Sequence, residues 1–191
     1  MNRVSATKFL LLLGPSGVGK STIIWALREM DGHYIYISPY TNRPLREGET
    51  DKVNVSDADM DRMMAAGELL VVNEKFNWRY ATPRSTILDA FAAHNYPLLD
   101  WPVDRISIMQ EAFGDRLYVV YVAPPSITEL EVRLGNDSRD SDGTRLRAAE
   151  AELKSYYAGE FSSFCDLEVV NDGDIMELTA KIHAAYLGSL R

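Results

Sequence analysis

The chain reads as an α/β protein: a mostly parallel sheet covered by helices on both faces, in three layers. Three observations predict this. Short apolar runs (Phe9 to Leu13, Tyr96 to Asp100, Arg116 to Ala123, Leu167 to Val170) alternate with helical patterns, as crossover-connected parallel strands do. The first run is unbroken rather than alternating, as a strand buried on both faces should be. Between it and the first helix lies Gly14-Pro15-Ser16-Gly17-Val18-Gly19-Lys20-Ser21, which matches G-x-x-x-x-G-K-[ST], the phosphate-binding P-loop.

The loop explains its own residue types. Glycines at 14, 17 and 19 let the backbone bend tightly and approach phosphate oxygens. Successive N–H groups then form an anion nest at a helix mouth. Lys20 would reach the β- and γ-phosphates and Ser21 would ligate Mg²⁺. Residues 14 to 22, from Gly14, Pro15 and Ser16 through Gly17, Val18, Gly19, Lys20 and Ser21 to Thr22, are the expected donor-nucleotide site. The following helix places Ile23, Ile24, Leu27 and Met30 on one side.

The remaining elements follow in order. His33 to Ser38 is rich in Tyr and Ile and reads as a strand. Residues 38 to 49 read as a turn, since prolines and a glycine forbid a long helix. Arg43 and Arg46 lie three apart there. They are either two solvated arginines or a pair of planar donor forks converging on one phosphate. Ser56 caps a helix to about Ala66, with acids in its first turn, and Gly67 stops it. Leu69 to Val72 is a strand; Asn73 to Thr82 is strand and turn; Pro83 starts a helix to about His94. The strand Tyr96 to Asp100 ends on an acid. Asp100 is either a turn residue or the group that orients Mg²⁺ and its waters. Pro102 to Phe113 is helical. Ser126 and Glu129 form a capping box for a helix through Leu134. A polar stretch, Gly135 to Gly143, precedes a helix capped by Thr144, with Leu146, Ala149 and Leu153 inward. The last helix carries Ile175, Leu178, Ile182 and Tyr186 on one face.

Composition narrows the function. A chain of 191 residues with 46% hydrophobic and 25% charged content suits one soluble domain with an insertion. No apolar run nears the roughly 18 residues needed to cross a membrane, and Met1 to Lys8 does not read as a signal peptide. A formal charge of −8 argues against a nucleic-acid polymer as partner but not against a mononucleotide held by a few arginines. The single cysteine, Cys165, fits a reducing cytoplasm and reads as a buried structural thiol. His33, His94 and His183 lack metal-ligand spacing.

These segments together resemble guanylate kinase over nearly the full length. The resemblance is carried by residues 14–21, by Thr41-Asn42-Arg43-Pro44-Leu45-Arg46-Glu47-Gly48-Glu49, by Ala123-Pro124-Pro125-Ser126 with Arg133-Leu134, by Arg145-Leu146 with Ala149 and Glu152, and by Val169-Val170-Asn171-Asp172. It implies a P-loop kinase core (residues 1–37, 95–134 and 145–191), a small α+β monophosphate-binding unit (38–94) and a short lid (135–144). It implies ATP, Mg²⁺ and a small phosphate-bearing acceptor such as a nucleoside monophosphate, in a monomer or homodimer. Arg43, Arg46, Tyr80 and Ser38 fall at the acceptor's phosphate, Thr82 near its base, and Asn171 near the donor's adenine. Arg133 and Arg145, with Arg139 in the lid, fall at the transferring phosphoryl group.

Departures from the family pattern bear on the acceptor. The family reads guanine through carboxylates, and Val71 and Pro102 stand at those positions; Glu74 or Asn73 could substitute if the register slips by a few residues. Lys52 stands where the family has a tyrosine. Two other readings follow: a kinase for a phosphosugar or non-guanine nucleotide, and a binding module without catalysis. The intact P-loop argues against the second.

Overall fold

The computed structural model describes residues 7–75, 77–135 and 143–191. In chain order the strands are β1 (Phe9–Leu13), β2 (Tyr34–Tyr36), β3 (Tyr40–Thr41), β4 (Val53–Asn54), β5 (Leu69–Lys75), β6 (Trp78–Pro83), β7 (Tyr96–Asp100), β8 (Leu117–Ala123) and β9 (Leu167–Val170). The helices are α1 (Lys20–Met30), α2 (Asp57–Ala65), α3 (Arg84–Ala92), α4 (Ile106–Phe113), α5 (Ile127–Gly135), α6 (Thr144–Tyr157) and α7 (Ile175–Ser189).

Five strands form one sheet in the order β2-β7-β1-β8-β9, and every pairing in it is parallel. The period-two geometry of β1 divides the core. Phe9, Leu11 and Leu13 face a cluster with Ile87 and Phe91 of α3 and Met109 of α4. Leu10 and Leu12 face Ile23 and Leu27 of α1 and Ile182 and Tyr186 of α7. All five β1 residues are fully buried, so the unbroken apolar run is what a central strand of a three-layer fold requires. On the second face Tyr186 packs edge-on against Tyr96 and Tyr118 and donates its hydroxyl to the Lys8 carbonyl at 2.7 Å.

A second, mixed sheet has the order β4-β3-β6-β5 and its own small core of Met60, Leu69 and Ala81. Its β3–β4 connection is closed by one carboxylate. Glu49 accepts from Arg43 Nη2 at 2.6 Å through both oxygens and from the Arg46 N–H at 3.0 Å. Lys52 Nζ stands 3.5 Å away. Burial pushes the Glu49 carboxyl up, but Arg43, the Arg46 amide and Lys52 outweigh it and hold it at about 2.

Several local expectations are corrected. Strand β3 occupies part of the stretch read as turn and β4 follows it, each only two residues long, too short to show a period. Pro83 ends β6 and caps α3 from an extended conformation, since a strand's last residue needs no further ladder donor. Gly143, not Thr144, caps α6. Its left-handed φ of 67° suits glycine, and the Thr144 hydroxyl accepts from Arg147 at 3.1 Å instead. Ser126 accepts from the Glu129 amide at 3.1 Å, while the Glu129 carboxylate turns to Arg133 Nε at 3.1 Å, so only half of the box forms. Met30 lies at the edge of its stripe, 36% exposed. The proposed lid falls mostly on residues 136–142, which lie outside the described residues.

Two predictions follow from the packing. Tyr186→Phe removes one hydrogen bond and should cost about 1 kcal/mol, while Tyr186→Ala should cost about 3–5 kcal/mol, both read as shifts of the urea midpoint at unchanged m. The second concerns pH. A carboxyl held near 2 in the folded state, against 4.5 when free, stabilises the fold fully above pH 4.5 and loses that contribution as pH falls through 2. The stability gap between the native chain and Glu49→Gln should therefore be constant above pH 4.5 and close below it.

Candidate active site

Each strand of the parallel sheet ends at one edge, where ligands of such sheets bind. The loop after β1 reaches this edge and is held tightly. Gly14 has φ 130°, and a Cβ on it would lie 2.2 Å from the Val122 carbonyl oxygen, so no side chain fits between loop and β8. Gly19 caps α1 from a left-handed conformation, where a Cβ would meet Asn171 Nδ2 at 2.5 Å. The α1 N-terminus has no side-chain cap, which leaves its first N–H groups for an anion.

Cations gather around this loop. Lys20 Nζ donates to the Gly14 and Pro15 carbonyls, the latter at 2.9 Å. Arg145, near the start of α6, donates to Ser16 Oγ through Nε at 3.0 Å and Nη2 at 2.6 Å. Arg133, on α5, donates to the Asn171 carbonyl at 3.3 Å. Asn171 in turn donates its amide to the Val18 carbonyl at 2.8 Å.

A cleft of about 520 Å³ runs from this loop to the mixed sheet, within the usual size of a small-molecule site. Of the residues expected at a site, Gly14, Ser16, Gly17, Val18, Gly19, Lys20, Ser21 and Thr22 line its donor end. Tyr80, Thr82, Asp100, Arg133 and Arg145 line it too. Asp100 ends β7 and accepts from the Tyr36 hydroxyl at 3.0 Å. Burial, then the Asp100 charge, push the Tyr36 phenol up, so it stays a donor.

Other expected residues are elsewhere. Pro15 contributes a carbonyl to Lys20 rather than cleft wall. Asn171 is 8% exposed and braces the P-loop, its amide already engaged. Ser38 does not line the cleft. Arg43 and Arg46 are not brought together on it: Arg43 is 8% exposed, with Glu49 across its fork, and Arg46 is exposed. Arg139 lies outside the described residues. Cys165 donates to the Phe161 carbonyl, and burial pushes its thiol up to about 11, which leaves it unreactive.

The cleft also holds residues that sequence reasoning did not assign to it: Tyr36, Pro39, Trp101, Asp104 and Glu152. Position just past a strand end is the signal that could have found Trp101 and Asp104. Asn73 is one of the two residues near Val71 that the sequence offers as substitutes for the guanine-reading carboxylate.

Ser21 and Asp100 face the same cleft with the hard oxygens that Mg²⁺ takes. Among the described residues no group of three His, Cys, Asp or Glu is placed to hold a metal. Mg²⁺ at such a site completes its shell with substrate phosphates and water, so this donor set fits that ion.

Comparisons with known proteins agree with this geometry. The guanylate kinase family model matches residues 6–184. A guanylate kinase of Thermobifida fusca is 38% identical over 152 residues, covering 76% of this chain and 77% of that protein. One of Nostoc sp. is 32% identical over 171 residues, covering 86% and 82%. The crystal structure of guanylate kinase from Anaplasma phagocytophilum matches with a TM-score of 0.76 at 24% identity, over 97% of this chain and 87% of that one. A shikimate kinase from Acinetobacter baumannii shares the fold at a TM-score of 0.54 and 14% identity, over 96% and 95%. The intact P-loop, the parallel sheet and these matches make the chain a member of the guanylate kinase family, ATP-dependent phosphotransferases of nucleoside monophosphates.

Proposed function

We propose that this chain transfers the γ-phosphoryl group of ATP to the phosphate of a nucleoside monophosphate, in the cytoplasm, giving ADP and a nucleoside diphosphate. One observation carries the reading: a single cleft is lined both by the P-loop and by Tyr80 and Thr82 of the mixed sheet, with Lys52, Arg133 and Arg145 also on its wall. Donor and acceptor phosphates fit head to head in such a space.

The acceptor's phosphate oxygen attacks the γ-phosphorus in line, and the bond to the β,γ-bridging oxygen breaks. A phosphate monoester has its second pKa near 6, so it is largely ionised at neutral pH and needs no strong base. The protein supplies position and charge. Lys20 holds the β- and γ-phosphates, and Arg133 and Arg145 neutralise the moving group. Ser21 and Asp100 would hold Mg²⁺, which spreads charge on the β- and γ-oxygens when bound. Lys52 and Tyr80 meet the acceptor's phosphate. Arg43, held by Glu49, lies close enough to Tyr80 to feel it electrostatically. In this reading the mixed sheet and its helix form the acceptor unit at 38–94, and residues 135–144 act as lid.

Lys20→Ala should lower kcat by roughly 10²–10³ or more, measured as ADP release with ATP and a panel of monophosphates. Turnover that survives this change would overturn the assignment of the donor site.

A further inference from the structure

The inner wall of the acceptor end carries a polar group that the fold leaves unused. Asn73 lies on β5 opposite Tyr80 on β6 and lines the cleft. It is 8% exposed, and its Oδ1 is buried without a hydrogen-bond partner among the described residues. A buried orphan acceptor is costly, and native proteins keep such groups where a ligand or water completes them.

Its surroundings define what would complete it. The neighbouring pair on the same strands is Val71 opposite Thr82, and Pro102 also lines the cleft. Neither Val71 nor Pro102 offers a polar side-chain atom. The Asp104 carboxylate also borders the cleft, but its side chain is 74% exposed and solvated there. The strands of the mixed sheet that line the cleft therefore present, beside the Tyr80 and Thr82 hydroxyls, a neutral amide, which is one acceptor beside one donor. Among the described residues those strands present there no carboxylate, which would accept twice.

We infer that Asn73 is the residue that reads the acceptor's nucleobase, pairing with an edge that holds one donor beside one acceptor. This rests on the kinase reading above. A ring N–H beside a carbonyl satisfies the amide, and so does a ring nitrogen beside an amine, since the amide can turn over. The two-donor edge of guanine, ring N–H beside the 2-amino group, does not. The 2-amino group accordingly gains nothing in this site.

Inosine monophosphate and GMP differ only in that amine, so the pair tests the inference directly. Steady-state kinetics with ATP and each of IMP, GMP, AMP, CMP and UMP would be measured for the native chain, Asn73→Ala and the isosteric Asn73→Asp. The native chain should use IMP at least as well as GMP by kcat/KM. Asn73→Ala should raise KM for the best acceptor about tenfold or more, with kcat little changed. Asn73→Asp should move the IMP-to-GMP ratio toward GMP by about tenfold. A merely structural asparagine would leave that ratio alone. A native preference for GMP above tenfold that persists in Asn73→Ala would overturn the role of Asn73 while leaving the kinase intact. Failure of the native chain to phosphorylate any of the five, with turnover of a phosphosugar instead, would overturn the acceptor reading itself.

Discussion

One buried amide holds the phosphate-binding end of the molecule together. Asn171, at the end of β9, donates to the Val18 carbonyl inside the P-loop, across 153 positions of sequence. It does so against Gly19, where a side chain would collide with it. Its own carbonyl receives Arg133, and its backbone N–H reaches Ala123 at the end of β8 at 2.9 Å. The loop cannot shift without disturbing two strands and a helix. Such rigidity is what a phosphate cradle needs, because preorganised donors need no reorganisation when charge arrives.

The parallel sheet makes this convergence possible. Strands β2, β7, β1, β8 and β9 run the same way, so their carboxyl ends share one edge. Tyr36, Asp100, Gly14, Ala123 and Asn171 stand at or just past those five ends. The hydrogen bond from Tyr36 to Asp100 crosses the β2–β7 boundary, and the tight fit of Gly14 on Val122 crosses β1–β8. The mixed sheet then stands opposite this edge as the far wall of the cleft.

What could be read from the sequence was what is local. The β1 run, the P-loop and the start of α1 are contiguous, and their glycines and lysine announce a phosphate chemistry by type and spacing. Pairings across the chain left no such trace. Asn171 reads equally well as a ligand-facing residue, and only the 2.8 Å contact to Val18 shows its amide engaged. Arg43 and Arg46 read as a pair because they are three apart. In the fold Glu49, a further three residues on, takes the Arg43 fork and the Arg46 backbone. Asn73 lies in a strand whose bulge between Leu69 and Val71 shifts the facing of every residue after it. Period counting cannot follow such a shift.

The cations on and near the cleft already have acceptors within the protein. Lys20 donates to two carbonyls and Arg145 to a hydroxyl. Arg43 is held by a carboxylate that stays ionised down to about pH 2. A charge-assisted pair is roughly twice as strong as a neutral hydrogen bond. An acceptor phosphate must compete with Glu49 for Arg43, or settle on Lys52 and Tyr80 and leave that pair closed. On the proposed reading, the acceptor end yields its arginine only to a ligand whose other contacts hold it in place. Asn73, buried on that wall with an unpartnered carbonyl oxygen among the described residues, would supply such a contact on the inference above and so link affinity for the acceptor's phosphate to the identity of its base.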